Sequence, residues 1–300
     1  LAERLKDSGG SIVFSNVSPG AAYFQDPDNY GYVYHRAGSF GPGGVPVSEG
    51  DGLNITHDAE GDAAMTTRFC QEVIIERKPA LAVLWQCEPD HSQHSHVLGS
   101  PTHLDAIAAA DANAGRVAAT VAKLNAEDDN TLLLIGSDHG HETVDKVVDL
   151  DEALIKAGLK SGTDSNDVVV TSQGLSAFVY LSKDKQKKIP EIATFLSKVD
   201  GVGKIYAGAE LERIGQNSNG ALAIAVDAMK SETKNEYGIP GHSVAFANRF
   251  SMTLETGKGE HGGFGKYEQN PFLIAIGGDF APGKTVTAKS SAIDIAPTIL

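Results

Sequence analysis

Histidines and carboxylates cluster in this sequence in a pattern suited to metal-ion chemistry. Six of the ten histidines, His91, His94, His96, His103, His139 and His141, fall between residues 91 and 141. In Glu88-Pro89-Asp90-His91-Ser92-Gln93-His94 a carboxylate precedes an imidazole by four residues, so Asp90 and His94 share a face if the segment makes a helical turn. In Gly136-Ser137-Asp138-His139-Gly140-His141, adjacent side chains of a regular strand would point to opposite faces. Asp138 and His139 can therefore meet one ion only where the strand breaks, and Gly140 supplies the break. A third piece, Gly259-Glu260-His261-Gly262-Gly263-Phe264-Gly265, is a glycine-dense loop with one histidine, and glycines let a backbone approach a ligand closely. Each piece has a bland counterpart: a solvated polar loop, a strand-end turn, a bystander histidine. Together they form an Asp and His set without thiolates. That set suits borderline divalent ions, zinc or manganese, at an open catalytic position better than a closed structural zinc site. Two such ions about 4 Å apart stabilise the entering and leaving oxygens of an in-line displacement at phosphorus.

The rest of the composition narrows the partners. The chain has 300 residues, with 39 acidic against 25 basic side chains and a formal net charge of −14. Apolar residues make up 41% and charged residues 21%, which is globular usage and excludes a disordered chain. The acidic balance argues against a nucleic-acid surface, so an anionic substrate must be drawn by local cations. No apolar run approaches the roughly 20 residues of a membrane span, and no signal peptide is visible. Cys70 and Cys87 match no zinc or disulfide framework and read as small buried hydrophobes. The chain opens on Leu1 in a helix-like run and closes at Leu300 in another, the expectation for a fragment. With the end that would carry a targeting signal missing, a cytoplasmic location is the default.

Elements that could position these residues follow in order. Ser11 to Phe14 reads as a strand, and residues 15 to 57 as an irregular excursion rich in Gly, Pro and aromatics. Asp62 caps a helix through Met65, Phe69 and Val73 that stops before Pro79, and Ala80 to Trp85 is a short strand. Ser100 and Pro101 open a long helix, followed by the strand Thr131 to Gly136, the pattern of a right-handed parallel crossover. Both histidine clusters then lie at carboxyl ends of strands, where sites form in open α/β sheets. Past about Val144, short helices and strands alternate over some 100 residues, enough for an inserted domain. Pro271 to Gly277 returns to a buried strand. The expected organisation is an α/β core over 1–143, an α+β insertion over 144–250, and the core continued over 251–300.

The ordered set Glu88-Pro-Asp-x-x-x-His94, Ser137-Asp-His-Gly140 and Gly259-x-His-Gly262 resembles the type I phosphodiesterase and nucleotide pyrophosphatase family. That family lies in the alkaline phosphatase superfamily, which also contains phosphonoacetate hydrolase. The resemblance implies an alkaline phosphatase-like core, a mostly parallel sheet flanked by helices with a small cap. It also implies two divalent ions, zinc or manganese, one held by Asp90, His94 and His261 and the other by Asp138 and His139. The implied activity is hydrolysis of small phosphate esters, phosphodiesters or nucleotide pyrophosphates, through a Thr or Ser phospho-enzyme. A phosphonate hydrolase or phosphomutase, or a chain that only binds metal, are the alternatives. The family's nucleophile and one further aspartate would precede the position matching Leu1, and Ser15 and Ser18 fall after the place for that nucleophile. His141 could orient a ligand carboxylate.

Overall fold

The structure is a computed structural model that describes residues 1–127, 130–247, 254–278, 280–288 and 290–300. It divides into two compact units: Leu1–His91 with Asp105–Ile135 and Leu273–Leu300, and Ser92–Leu104 with Gly136–Phe272. The second takes in most of the stretch expected as an insertion together with residues on both sides of it. The expected boundary at 250 and 251 lies outside the described residues.

In the first unit, after a short helix α1 (Ala2–Leu5), the strand β1 (Ser11–Ser15) is buried along its whole length. A helix α2 (Pro19–Phe24), capped by Ser18, leads to β2 (Tyr32–His35). Thus the 15–57 stretch is not merely an excursion beside the sheet: β2 pairs parallel with β1, and the short strands β3 (Phe40–Gly41) and β4 (Val45–Pro46) extend the sheet. Alternation in Tyr32-Val33-Tyr34-His35 sends both tyrosines to one face, which suits a strand.

The helix α3 (Ala59–Arg68) follows, and its cap is Asp58 rather than the expected Asp62: the Asp58 carboxylate accepts from the Gly61 N–H at 2.8 Å. Asp62 instead lies inside the first turn, where its buried side chain is used elsewhere. From Phe69 to Arg77 the helix continues in the wider π form. The strand β5 (Leu81–Trp85) pairs parallel with β1 on its other side. Ile12, Phe14, Tyr34, Met65, Phe69, Val73, Val117 and Val121 form the core beneath this sheet. Val117 and Val121 come from a long helix introduced by Ser100 and Pro101 as expected. That helix follows α4 (Asp90–Ser95) in the chain and is α5 (Pro101–Asn125). Among the described residues no helix is long and apolar enough to cross a membrane.

The strand β6 (Leu133–Gly136) leads into the second unit. There β7 (Glu142–Asp149) precedes α6 (Leu150–Lys156), β8 (Val168–Ser172), β9 (Ser176–Leu181), α7 (Ile189–Leu196), β10 (Val202–Ala207), β11 (Leu222–Ala228), β12 (Lys230–Lys234), β13 (Pro240–Ala247) and β14 (Gly259–Glu260). One sheet, in the order β10-β11-β9-β8, is antiparallel. The other runs β12-β13-β7-β14, with β13 and β7 parallel. Leu150, Leu154, Val168, Val179, Ile192, Leu196, Ile224 and Phe246 fill the core that the first sheet shares with α6 and α7.

The last strand, β15 (Leu273–Ile276), pairs with β6 in the first unit and precedes α8 (Ile295–Ile299). The Pro271 to Gly277 segment forms a strand as expected, but it is not buried. Leu273 is 51% exposed and Ile274 49%, because β15 has a single strand neighbour among the described residues.

Candidate metal centre

Two residue pairings between β7 and β14 build the centre of the second unit. β14 runs antiparallel to β7 with Glu260 opposite Glu142 and Gly259 opposite Thr143. The residues just past that register, His141 and His261, are thereby delivered side by side from distant parts of the chain. Their ring centroids lie 5.0 Å apart. His139 stacks on His261 at 3.7 Å, and His94 is 5.0 Å from His261 and 5.3 Å from His141. Four imidazoles thus share one small volume.

A carboxylate joins them. His94 Nδ1 lies 3.5 Å from Glu260 Oε2, and the His261 N–H donates to Glu260 Oε1 at 3.0 Å. His94, Glu260 and His261 can each turn one ligand atom to within 4.8 Å of the others. Burial alone would push the Glu260 carboxyl up, but the hydrogen bond and charge of His94, then the His261 contacts, outweigh it and hold the group below its ordinary range. It is a carboxylate at neutral pH. Borderline nitrogen donors with one ionised oxygen donor form a set that fits zinc.

Glycines allow the close approach. Gly262 has φ +87°, and a Cβ there would stand 1.7 Å from the Gln173 carbonyl oxygen, so the residue after His261 must be glycine. A Cβ on Gly140 would stand 2.0 Å from the Tyr267 carbonyl oxygen. The break expected at Gly140 is therefore enforced by a neighbouring backbone. The His261 carbonyl accepts from the Leu175 N–H at 2.8 Å, which ties the loop to the β8–β9 turn.

The same loop is braced from below. Glu268, 1% exposed, accepts from the Gly263 N–H, from the Gly265 N–H at 3.2 Å and from Lys230 Nζ at 2.7 Å. Lys230 also reaches Glu142, the residue after His141, at 3.1 Å and Ser243 Oγ at 3.2 Å. One lysine therefore fixes the strand end carrying His141 and the loop carrying His261.

His103, in the same unit, is buried. Its Nδ1 accepts from the Gly99 N–H at 2.7 Å, and its Nε2 lies 2.9 Å from Gln93 Nε2. Burial, then the charge of His141, lowers its pKa, and it is a neutral structural ring.

In the first unit, Asp90 begins α4 four residues before His94, the spacing at which helical side chains share a face. The loop leading to it, with a cis peptide before Pro89, is anchored by Asp62. The Asp62 carboxylate, 1% exposed, accepts from Asn16 Nδ2 at 2.9 Å, the Cys87 N–H at 3.2 Å and the Glu88 N–H at 2.9 Å. Burial, then the Asp62 charge, pushes the Cys87 thiol far up, so it is an inert buried group as its sequence setting suggests.

Of the five residues proposed from the motifs, the second unit brings His94, His139 and His261 together. Asp138 is 49% exposed beside His139, with 3.5 Å between Oδ2 and Nε2. His91 and His96 are exposed. Glu260 is the residue that sequence reasoning passed over. Its signal is its place directly before His261 in a segment too glycine-rich to be regular.

Comparison with solved structures defines the class as an alkaline phosphatase-like α/β fold. The chain is similar to phosphonoacetate hydrolase from Sinorhizobium meliloti 1021 in complex with phosphonoformate, at TM-score 0.58 and 15% identity over 92% of this chain and 67% of that one. It is also similar to an inactive variant of murine ectonucleotide pyrophosphatase / phosphodiesterase 5 in complex with AMP, at TM-score 0.54, 18% identity, 90% and 61%. For the human protein of the same name the values are 0.52, 17%, 91% and 62%. The chain thus spans about three fifths to two thirds of these structures. Among curated protein sequences nothing matches it. It belongs to the type I phosphodiesterase / nucleotide pyrophosphatase family, whose profile matches residues 20–236. This is a family of metal-dependent phosphoric ester hydrolases.

Proposed function

We propose that the protein hydrolyses small phosphate esters, phosphodiesters or nucleotide pyrophosphates, with two zinc ions. The observation that carries the reading is the group of four imidazoles with the Glu260 carboxylate, converging at the β7–β14 pairing. In this reading Asp90, His94 and His261 hold one ion and Asp138 and His139 the other, with Asp90 assigned by its motif and its place on α4. Bound zinc would supply Lewis-acid stabilisation of charge on the phosphoryl oxygens. The chain's own residues do the rest. Glu260 orients His94 and keeps it basic, and the Gly262–Gly265 turn holds His261 without side-chain obstruction. A Thr or Ser hydroxyl would attack phosphorus to give a covalent phospho-enzyme, and no residue of the 300 is assigned that role. The segment 144–250 would shape substrate choice.

The test combines metal analysis with turnover. Elemental analysis should give two zinc per chain, falling to one in Asp138→Ala, with the Asp90, His94 and His261 ion retained. Unchanged content in that variant would overturn the assignment. Chelator-sensitive release of nitrophenol from bis-nitrophenyl phosphate, with no phosphate from phosphonoacetate, supports the phosphodiesterase reading over a phosphonate hydrolase. The reverse result selects the phosphonate hydrolase, and metal binding without turnover of either substrate selects a chain that only holds metal.

A further inference from the structure

The proposed reading gives the ion at Asp138 and His139 two ligands, one fewer than the three protein ligands of a catalytic zinc site. The second unit holds one more imidazole in the same cluster, that of His141. The chain between His139 and His141 is fixed from one side, because Gly140 donates its N–H to the Glu268 carbonyl at 3.0 Å. On the other side of His141, Glu142 is 2% exposed, pairs with Lys230 at 3.1 Å and lies opposite Glu260. A ring carried between two anchored residues loses little freedom when it binds an ion.

The atoms around His139 are already spaced as a ligand set. Asp138 Oδ1 accepts from the His139 N–H at 3.1 Å, and Asp138 Oδ2 lies 3.5 Å from His139 Nε2. Two donor atoms on one tetrahedral zinc, each about 2.0–2.1 Å from it, stand about 3.3 Å apart, so that spacing needs little adjustment. His139 Nδ1 faces the Gly140 carbonyl at 3.3 Å. A carbonyl only accepts, so in the neutral ring Nδ1 carries the proton and Nε2 keeps its lone pair for an ion.

His141 stands beside this pair. Its ring centroid is 5.2 Å from that of His139, at an interplanar angle of 57°. His139, His141 and His261 can each bring one ligand atom to within 4.8 Å of the others, whereas the group of His94, Glu260 and His261 does not include His141. His261 belongs to both groups and does not discriminate. His139 shares a group with His141 and His94 does not, which sets His141 on the side of the second ion.

We propose that His141 is the third protein ligand of the ion held by Asp138 and His139, completing a set of one carboxylate and two imidazoles with a further position open. The proposal rests on the two-ion reading and deepens it. It assigns His141 a different task from orienting a ligand carboxylate. A ligand gives a nitrogen lone pair to the metal, whereas an orienting ring gives a proton to a carboxylate oxygen.

Cobalt(II) in place of zinc separates the two, because each imidazole bound to it shows its remaining ring N–H as a strongly shifted proton resonance. The chain loaded with two cobalt ions should show four such resonances, from His94, His139, His141 and His261. One should vanish in His141→Gln, and chelator competition should show the second ion weakened by about 100-fold or more while the first keeps its affinity. Three resonances in the wild type overturn the proposal and leave the two-ion reading standing, and this count holds even if His141→Gln fails to fold. Four resonances retained in the variant, or weakening of the first ion instead of the second, also overturn it. A wild type that binds fewer than two cobalt ions overturns the two-ion reading together with the proposal.

Discussion

The loop that carries Asp90 and the loop that carries His261 each rest on a buried carboxylate, Asp62 in the first unit and Glu268 in the second, both 1% exposed. Asp62 is answered by dipoles: two backbone N–H groups and the Asn16 carboxamide. Glu268 is answered by two backbone N–H groups and a lysine that also serves Glu142 at 3.1 Å and lies 3.9 Å from Asp227. The first anchor is self-contained and local. The second shares one cation among three carboxylates, so each of its members depends on the others. A network of that kind fixes two separate chain segments at once, but removing its cation strands every carboxylate.

The sharpest way to break this contrast is Lys230→Met, which leaves Glu142 and Glu268 buried without a counter-charge. The expected loss is about 3–5 kcal/mol in urea denaturation, with the Gly263 and Gly265 amides losing exchange protection while Cys87 and Glu88 keep theirs. Equal loss of protection at both loops would sink the distinction. Charge linkage gives a second check. Burial raises the Glu142 pKa despite the Lys230 charge and hydrogen bond. The folded chain therefore takes up that proton more readily than the unfolded one, and this group's contribution to stability declines as pH rises from 4.5 through the raised value. Glu142→Gln should remove that decline and stay within about 1 kcal/mol of the wild type at pH 7. Lys230 behaves oppositely: burial lowers its pKa, but Glu268, Glu142 and Asp227 raise it further. Its contribution is complete below 10.5 and is lost only above its raised value.

How much of this was legible beforehand follows the range of the interactions. Asp90 and His94, and Asp138 and His139, are local pairs, and spacing alone exposes them. His261 was reached only because its motif completes the other two. Glu260 and the neighbourly placement of His141 depend on β14 meeting β7, a pairing between segments more than a hundred residues apart that no local pattern encodes. The Pro271 to Gly277 strand was recognisable from its apolar run, but its exposure was not, because burial depends on neighbours and a run reports only composition. Asp58 and Asp62 are both suitable caps by type. The choice falls to Asp58 because Asp62 is drawn into the strand-end loop by Asn16, Cys87 and Glu88.

That division of labour sets the two smaller effects. Asp62→Asn keeps size but presents an amide N–H₂ to donors that need an acceptor. It should cost about 2–3 kcal/mol and deprotect the Cys87 and Glu88 amides, sparing Gly263 and Gly265. Asp58→Ala removes only the cap of α3 and should cost about 1 kcal/mol at pH 7, with Asp58→Asn close to the wild type. The Thr56 hydroxyl, then the Gly61 N–H, hold the Asp58 carboxyl below its ordinary value against the effect of burial. Its contribution is therefore present above about 3.8 and fades as pH falls through the depressed folded value, so the wild type and Asp58→Ala should converge in acid. A constant gap down to low pH would mean that Asp58 acts through packing, and that the start of α3, which delivers Asp62 to the Asp90 loop, is held by something other than its cap.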